Sequence, residues 1–235
     1  FRSSDNKMKA RYLRIQANWQ YDLFSSKPSS VDSLLKISQT YQQSMRYIGD
    51  DYRTFSGWAY ANSRSLSQCT ENRANIALSA IYGFLKATQL RQSESLEFLC
   101  QMFSIYFRFG EEFTLPEEIR KEINELPAAL LHQIVPQIVV HISHKDPKIS
   151  RVVQSIISEF GAAHFQAVVY PLNVLSLLTD EDSQCLMNYS VPHNLFISSR
   201  SKRKQKSVIN KAQIAKDMMD KLGSLNQKIY ADSKL

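Results

Sequence analysis

Large apolar residues recur along this chain at spacings of three and four, the period of amphipathic helices. Met8, Tyr12, Ile15 and Trp19 form the first stripe, which predicts a core-facing helix side. Ser25 to Ser30 (SSKPSS) breaks the pattern. Leu34, Leu35, Ser38, Tyr41 and Met45 mark a second helix, and Gly49, Asp50 and Asp51 a turn after it. Phe55, Ala59, Asn62 and Leu66, with Trp58 beside them, mark a third. Three helices with short joints, stacked antiparallel, read as a tetratricopeptide-like (TPR-like) unit with a neighbour.

After the polar stretch Ser67 to Arg73, the period resumes with Ala77, Ile81, Phe84 and Thr88. Leu96, Leu99, Cys100, Phe103 and Phe107 follow, on a helix whose start is expected at Ser93, with Glu94 and Glu97 near its positive end. Thr114-x-x-Glu117 has the form of a capping box, and Ile119, Ile123 and Leu126 then line a short helix that stops at Pro127. Next, Leu131, Ile134, Val135, Ile138, Val139 and Ile142 oppose a polar face of Gln133, Gln137, His141 and His144. Asp146-Pro147 is a helix start, an acidic cap before a proline in the first turn. Ile149, Val152, Val153, Ile156, Ile157 and Phe160 line that helix, and Gly161 is expected to end it. Pro136 and Pro171 fall inside helical patterns and predict kinks. Kinked pairs repeating at about 40 residues characterise HEAT-like arrays. Residues 177–199 read as a loop or insertion, and Val208, Ala212, Ala215, Met219, Leu222, Leu225 and Ile229 stripe a last helix. The expectation is an all-α α-solenoid of TPR-like and HEAT-like helical hairpins, with TPR-like helices in 1–70 and HEAT-like helices in 71–235.

Composition sharpens this picture in few places. Six glycines and seven prolines in 235 residues are too few for a turn-rich β fold. Three distant cysteines, Cys69, Cys100 and Cys185, suit neither a disulfide framework nor a zinc site. Leu126 to His144 and Phe160 to Thr179 lack charge, but polar residues within both argue against a membrane span. The net charge is +7, and Arg200, Lys202, Arg203, Lys204, Lys206 and Lys211 supply six of those charges in one acid-free run. A near-neutral remainder does not suggest a nucleic-acid-binding face. That run reads as a solvated segment, an anionic-ligand or acidic-partner site, or a localisation or nucleic-acid patch. The absence of an initiating methionine, and a last helical pattern without a stop signal, suggest a fragment of a longer polypeptide.

Catalytic patterns are not found. No two glycines lie close enough to cradle phosphate, and neither Asp-Phe-Gly nor His-Arg-Asp occurs. His141 and His144 share a helical spacing, but only Asp146 stands near as a third metal ligand, so a polar helix face is the better reading. Trp19 and Trp58, at helical spacing among apolar neighbours, are expected in the core. These readings predict a chain with no active site of its own.

Several strings together resemble the FAT region of the phosphatidylinositol-3-kinase-related kinases, specifically that of target-of-rapamycin kinases. Trp19-Gln20 is similar to the family's Gly-Glu-Trp-Gln, with Ala17-Asn18 in place of Gly-Glu. Tyr52-Arg53, then Trp58-Ala59 and Asn62, resemble Tyr-Lys-Ala-Trp-x-x-Trp-Ala…Asn, and Gly83-Phe84 resembles Gly-Phe-Phe. Ile134-Val135-Pro136-Gln137-Ile138 resembles Ile-Pro-Gln-Leu-Ile; Ile142 and Arg151 follow at the family's spacing. His164, Gln166, Tyr170 and Pro171 fall on His-Pro-Gln-Ala-Leu-Ile-Tyr-Pro-Leu, with Phe165 in place of its first proline.

The resemblance implies a non-catalytic scaffold segment of a serine/threonine protein kinase in nutrient and growth signalling. In that family the FAT solenoid clamps the kinase domain of the same polypeptide. It also offers surface to raptor-like and WD-repeat regulatory subunits and to the dimer contacts of the parent complex. ATP and magnesium would bind the kinase domain, which this chain lacks. Arg53 stands where the family has a lysine associated with an inositol polyphosphate pocket. A cytoplasmic protein is implied, reaching nucleus or endomembranes through partners. The alternative is a stand-alone HEAT-like adaptor that binds an acidic partner through the basic run 200–211.

Overall fold

A computed structural model describes residues 2–26, 31–69, 72–91, 95–177 and 211–232. All regular elements among them are helical: α1 (Arg2–Ser26), α2 (Val31–Tyr47), α3 (Tyr52–Ser65), α4 (Arg73–Arg91), α5 (Leu96–Phe109), a 3₁₀ turn (Gly110–Glu112), α6 (Glu117–Asn124), α7 (Ala128–Val139), α8 (Pro147–Ala163), α9 (Phe165–Leu177) and α10 (Lys211–Asp232). The basic residues Arg200 to Lys206 and the expected insertion 177–199, except Leu177, lie outside the described residues. No described helix is long and apolar enough to cross a membrane. The chain divides into two compact units, Phe1–Ile119 and Arg120–Leu235. The boundary drawn from the sequence near residue 70 separates repeat types, a matter on which compactness is silent.

In the first unit each helix packs mainly on its neighbours in sequence, α1 on α2, α2 on α3, α3 on α4 and α4 on α5. That is the stacking of an α-solenoid, in which each hairpin completes the apolar face of the next. Antiparallel pairing is visible in the hydrogen bonds. Tyr41 reaches Asn18 while Ser44, further along α2, reaches back to Ala10. The α1–α3 core is built from Ala17, Phe24, Leu34, Ile37, Tyr41, Trp58 and Ala61, with Tyr21 and Met45 against it.

The expected inward face of α1 is overturned. Met8, Tyr12 and Trp19 are 70%, 69% and 73% exposed, and the buried positions are Ala10, Ala17 and Phe24. Small residues won because they let the backbones approach: the Ser44 hydroxyl donates to the Ala10 carbonyl across the joint at 2.8 Å. Trp19 is therefore no core residue, whereas Trp58 is buried as expected.

In the second unit α9 packs on α7 and α8, and α10 packs on α8 and α9. Leu131, Ile134, Val135, Ile138 and Val139 of α7 are buried, as the stripe predicts, and Leu130 is buried with them. His141 departs from its expected polar face. The helix ends at Val139, and the turn that follows carries His141 inward. That turn is tied down where Ser150 Oγ and Gln154 Nε2 both donate to the Ile142 carbonyl, at 2.6 and 3.1 Å. Asp146 caps α8 as expected, its carboxylate accepting from the Lys148 amide at 2.7 Å. Gly161 does not end α8, which runs on to Ala163; a Cβ there would sit 3.0 Å from Leu222 of α10, so the glycine serves a close crossing. Helix α5 starts after Ser95 rather than Ser93.

Candidate functional site

The residues singled out from the sequence fall into three groups. The first gathers at the α2–α3–α4 joint of the first unit. Ser38 of α2 sits buried between Trp58 and Asn62 of α3. Trp58 Nε1 donates to Ser38 Oγ at 2.9 Å, Ser38 Oγ donates to Asn62 Oδ1 at 3.2 Å, and Asn62 Nδ2 donates to the Trp58 carbonyl at 2.9 Å. All three side chains are thereby partnered out of water, as buried polar groups must be. On the other side of α3, Gly83 of α4 comes so near that an added Cβ would lie 3.0 Å from Ala59 Cβ and 3.1 Å from the Phe55 carbonyl oxygen. Phe84 stacks edge-on against Tyr60, with ring centroids 5.0 Å apart. Trp58, Asn62, Gly83 and Phe84 thus meet in one joint, which positions the helices.

The second group is a basic, aromatic surface at the start of α3. Asp51 caps the helix, accepting from the Arg53 amide and from the Thr54 hydroxyl, and lies 2.9 Å from Arg14 of α1. Capping frees Tyr52 and Arg53 to project outward. The Arg53 guanidinium lies 5.6 Å from the centre of the Tyr52 ring, and that of Arg91, at the end of α4, lies 5.2 Å from it. Arg53 Nε also donates to the Tyr52 hydroxyl, which with the two positive charges pulls the phenol below its ordinary range. Two guanidiniums held on one ring make this corner of the unit positively charged.

The third group lies in the second unit. Pro136 and Pro171 sit inside α7 and α9. Gln137, Arg151, Gln166 and Tyr170 are exposed. His164, between α8 and α9, packs against Phe160 and His132, with ring centroids 4.9 and 5.3 Å away. Gln20 in the first unit is half-buried beside the exposed Trp19. Of the basic run, Lys211 opens α10, and the other five residues are not described. No group of three or more His, Cys, Asp or Glu able to hold a metal exists among the described residues.

Two features escaped the sequence reading. Tyr60 donates to the Glu97 carboxylate, linking α3 to α5. Burial, then that carboxylate, push the Tyr60 phenol well above its ordinary range. Nothing in the local pattern marks a pair so far apart in sequence. Ser38 did carry a signal, being the polar member of an otherwise apolar stripe, and such a residue must find a buried partner.

The chain is similar in sequence to several serine/threonine-protein kinases. The chain is 23% identical over 186 residues to the serine/threonine-protein kinase tor1 of Schizosaccharomyces pombe, covering 76% of this chain and 8% of that protein. It is 22% identical over 202 residues to the serine/threonine-protein kinase mTor of Drosophila melanogaster, covering 74% and 8%. Over 95 residues it is 30% identical to the serine/threonine-protein kinase TOR2 of Saccharomyces cerevisiae, covering 40% and 4%. Each of these proteins is a target-of-rapamycin kinase, and the chain is similar to a part of each. The stretch it matches is a small fraction of each target-of-rapamycin protein. No protein-family profile matches the chain.

Proposed function

We propose that this chain is a non-catalytic FAT scaffold segment of a target-of-rapamycin-like serine/threonine kinase, clamping the kinase domain of the same polypeptide. The observation that carries the reading is the similarity to such kinases from several species over most of the chain's length. Helices that stack on their sequence neighbours suit the role, because a solenoid transmits position along its length without chemistry of its own. The TPR-like and HEAT-like hairpins then serve as surface for raptor-like and WD-repeat regulatory subunits and for dimer contacts, in a cytoplasmic complex of nutrient and growth signalling. Arg53, exposed beside Tyr52, contributes a contact to an inositol polyphosphate.

The test is to isolate the native polypeptide that carries this sequence and assay it with ATP, magnesium and a protein substrate. Serine/threonine phosphorylation by a species many times larger than this chain's 27.0 kDa is the expected result. In the same preparation, Asn62→Leu should loosen the α2–α3 joint and lower both kinase activity and the recovery of regulatory subunits. A native protein of this chain's own size, or a long one that transfers no phosphate, overturns the reading.

A further inference from the structure

Three rings meet where α7, the end of α8 and the start of α9 come together. Phe160 of α8 is buried, His164 in the joint that follows is half-buried, and His132 of α7 is exposed. The ring centres of His132 and His164 stand 5.3 Å apart, with 69° between their planes. Phe160 backs both, its ring centre 5.2 Å from that of His132 and 4.9 Å from that of His164. Two imidazoles from different parts of the chain are thus held side by side at the surface, against one apolar wall.

Their separation has a chemical meaning. Zinc binds an imidazole nitrogen at about 2.0–2.1 Å, which puts the ring centre about 3.2 Å from the ion. Two such rings at a tetrahedral angle stand about 5.2 Å apart. The backbone favours the same charge. His164 caps the end of α8, its amide donating to the Phe160 carbonyl at 2.9 Å. The carbonyls that end a helix carry partial negative charge and attract a cation beside them. Helices α7 and α9 hold no lysine or arginine to repel it, and no carboxylate to recruit calcium or magnesium. Glu159, next to Phe160 in sequence, is engaged by Asn124 and Ser155. Imidazoles without carboxylates suit borderline transition-metal dications. The pair His141 and His144 differs: its ring centres are 6.0 Å apart, His141 is buried, and His144 Nδ1 already accepts from the Asp146 amide at 3.1 Å.

We propose that His132 and His164 form a two-histidine site for a borderline transition-metal dication such as zinc, which ties α7 to the α8–α9 joint when filled, with water in the remaining positions. Four protein ligands make a permanent structural site. Two make one that exchanges with the surrounding pool, so the joint is tightened when the free ion is plentiful and released when it is scarce. The site stands on this geometry alone and is independent of the kinase reading.

The test is acylation by diethylpyrocarbonate of the native polypeptide that carries this sequence, stripped with a chelator and then titrated with zinc, the reaction being read at each histidine by mass spectrometry. The reagent attacks an unprotonated ring nitrogen, and a metal on that nitrogen blocks it. Zinc should slow His132 and His164 together, with one half-protecting concentration, and by about tenfold at ten times that concentration. Magnesium, which prefers oxygen, should protect neither. In His132→Gln, the rate at His164 should no longer respond to zinc, and in His164→Gln the rate at His132 should not. His132 is exposed, so the first of these variants leaves the core untouched. No protection by millimolar zinc, separate midpoints for the two histidines, or equal protection by magnesium overturns the proposal. So does protection that persists at the remaining histidine in either variant, since the two rings then do not share an ion.

Discussion

Replacing Ser38 with Ala tests the α2–α3 joint most directly. The change removes one oxygen, and two buried polar atoms lose their partner: Trp58 Nε1 no longer has an acceptor and Asn62 Oδ1 no longer has that donor. Each orphaned buried neutral group costs about 1–2 kcal/mol, the lower part of the usual range, so Ser38→Ala should destabilise the chain by about 2–4 kcal/mol. Alanine's better helix propensity returns only a few tenths of a kcal/mol and does not reverse the sign. Trp58→Phe removes the indole donor and leaves a cavity in the α1–α3 core, costing about 2–3 kcal/mol. In the Phe background, Ser38→Ala orphans only Asn62 Oδ1 and should cost about 1–2 kcal/mol. The double-mutant cycle therefore predicts a coupling of about 1–2 kcal/mol between the two positions. Urea unfolding followed by far-UV circular dichroism measures it without relying on tryptophan emission. A coupling within about 0.3 kcal/mol of zero, the limit of ordinary additivity, would refute the buried Trp58–Ser38 hydrogen bond.

Gly83→Val should destabilise the chain by about 1–3 kcal/mol in the same unfolding assay, because overpacking against Ala59 and the Phe55 carbonyl outweighs the gain in helix propensity; a more stable variant would show that α3 and α4 do not cross so closely. Asp51→Ala removes the α3 cap and the partner of Arg14 and should cost about 1–2 kcal/mol, while Asp51→Asn keeps the cap and should cost less. Equal losses for the two would deny the cap its role. Burial raises the phenols of Tyr41 and Tyr60 above the unfolded value of 10.0, so the neutral form is favoured in the fold. Their contribution is complete below that value and is lost as pH rises above it. Stability from denaturant titrations should be insensitive to these groups from neutral pH to about 10 and fall beyond. Tyr60→Phe should flatten that alkaline fall, and an unchanged slope would remove Tyr60 from the account.

How far the sequence could be read depended on how much of each decision was local. Periodicity set the type of the described helices because an apolar stripe and its caps lie within a few residues of one another; Asp146-Pro147 at the start of α8 is such a case. Stripes on α3, α4 and α7 also pointed to the correct inner faces. On α1 the same logic failed, because size was weighed and approach distance was not. The alanines at 10 and 17 bring the backbones together, and the larger residues remain on the other side. His141 failed for a related reason: an early helix end turned its side chain inward. At the candidate site, Trp58, Asn62, Gly83 and Phe84 were legible as a set only through family likeness. Spacing alone gives no sign that residues on α3 and α4 will meet at a given height. Tyr60–Glu97 was not legible at all, since a pair bridging α3 and α5 depends on the completed stack.

Neighbour-on-neighbour packing also governs how the chain emerges during synthesis. In the first unit each of α2 to α5 leaves the ribosome to find a partner already present, so α1 to α5 can assemble in order, with contacts of short sequence separation and little loop entropy to overcome. The second unit has no such luxury. Gly161 of α8 waits for Leu222 of α10, and the groove between them stays unfilled until the chain has grown that far. At translation speeds of about 5–20 residues per second, the apolar sides of α8 and α9 stand uncovered for some seconds in every molecule made. Chaperones that bind nascent apolar helices would meet this protein there, and a slowed ribosome between α9 and α10 would lengthen the encounter.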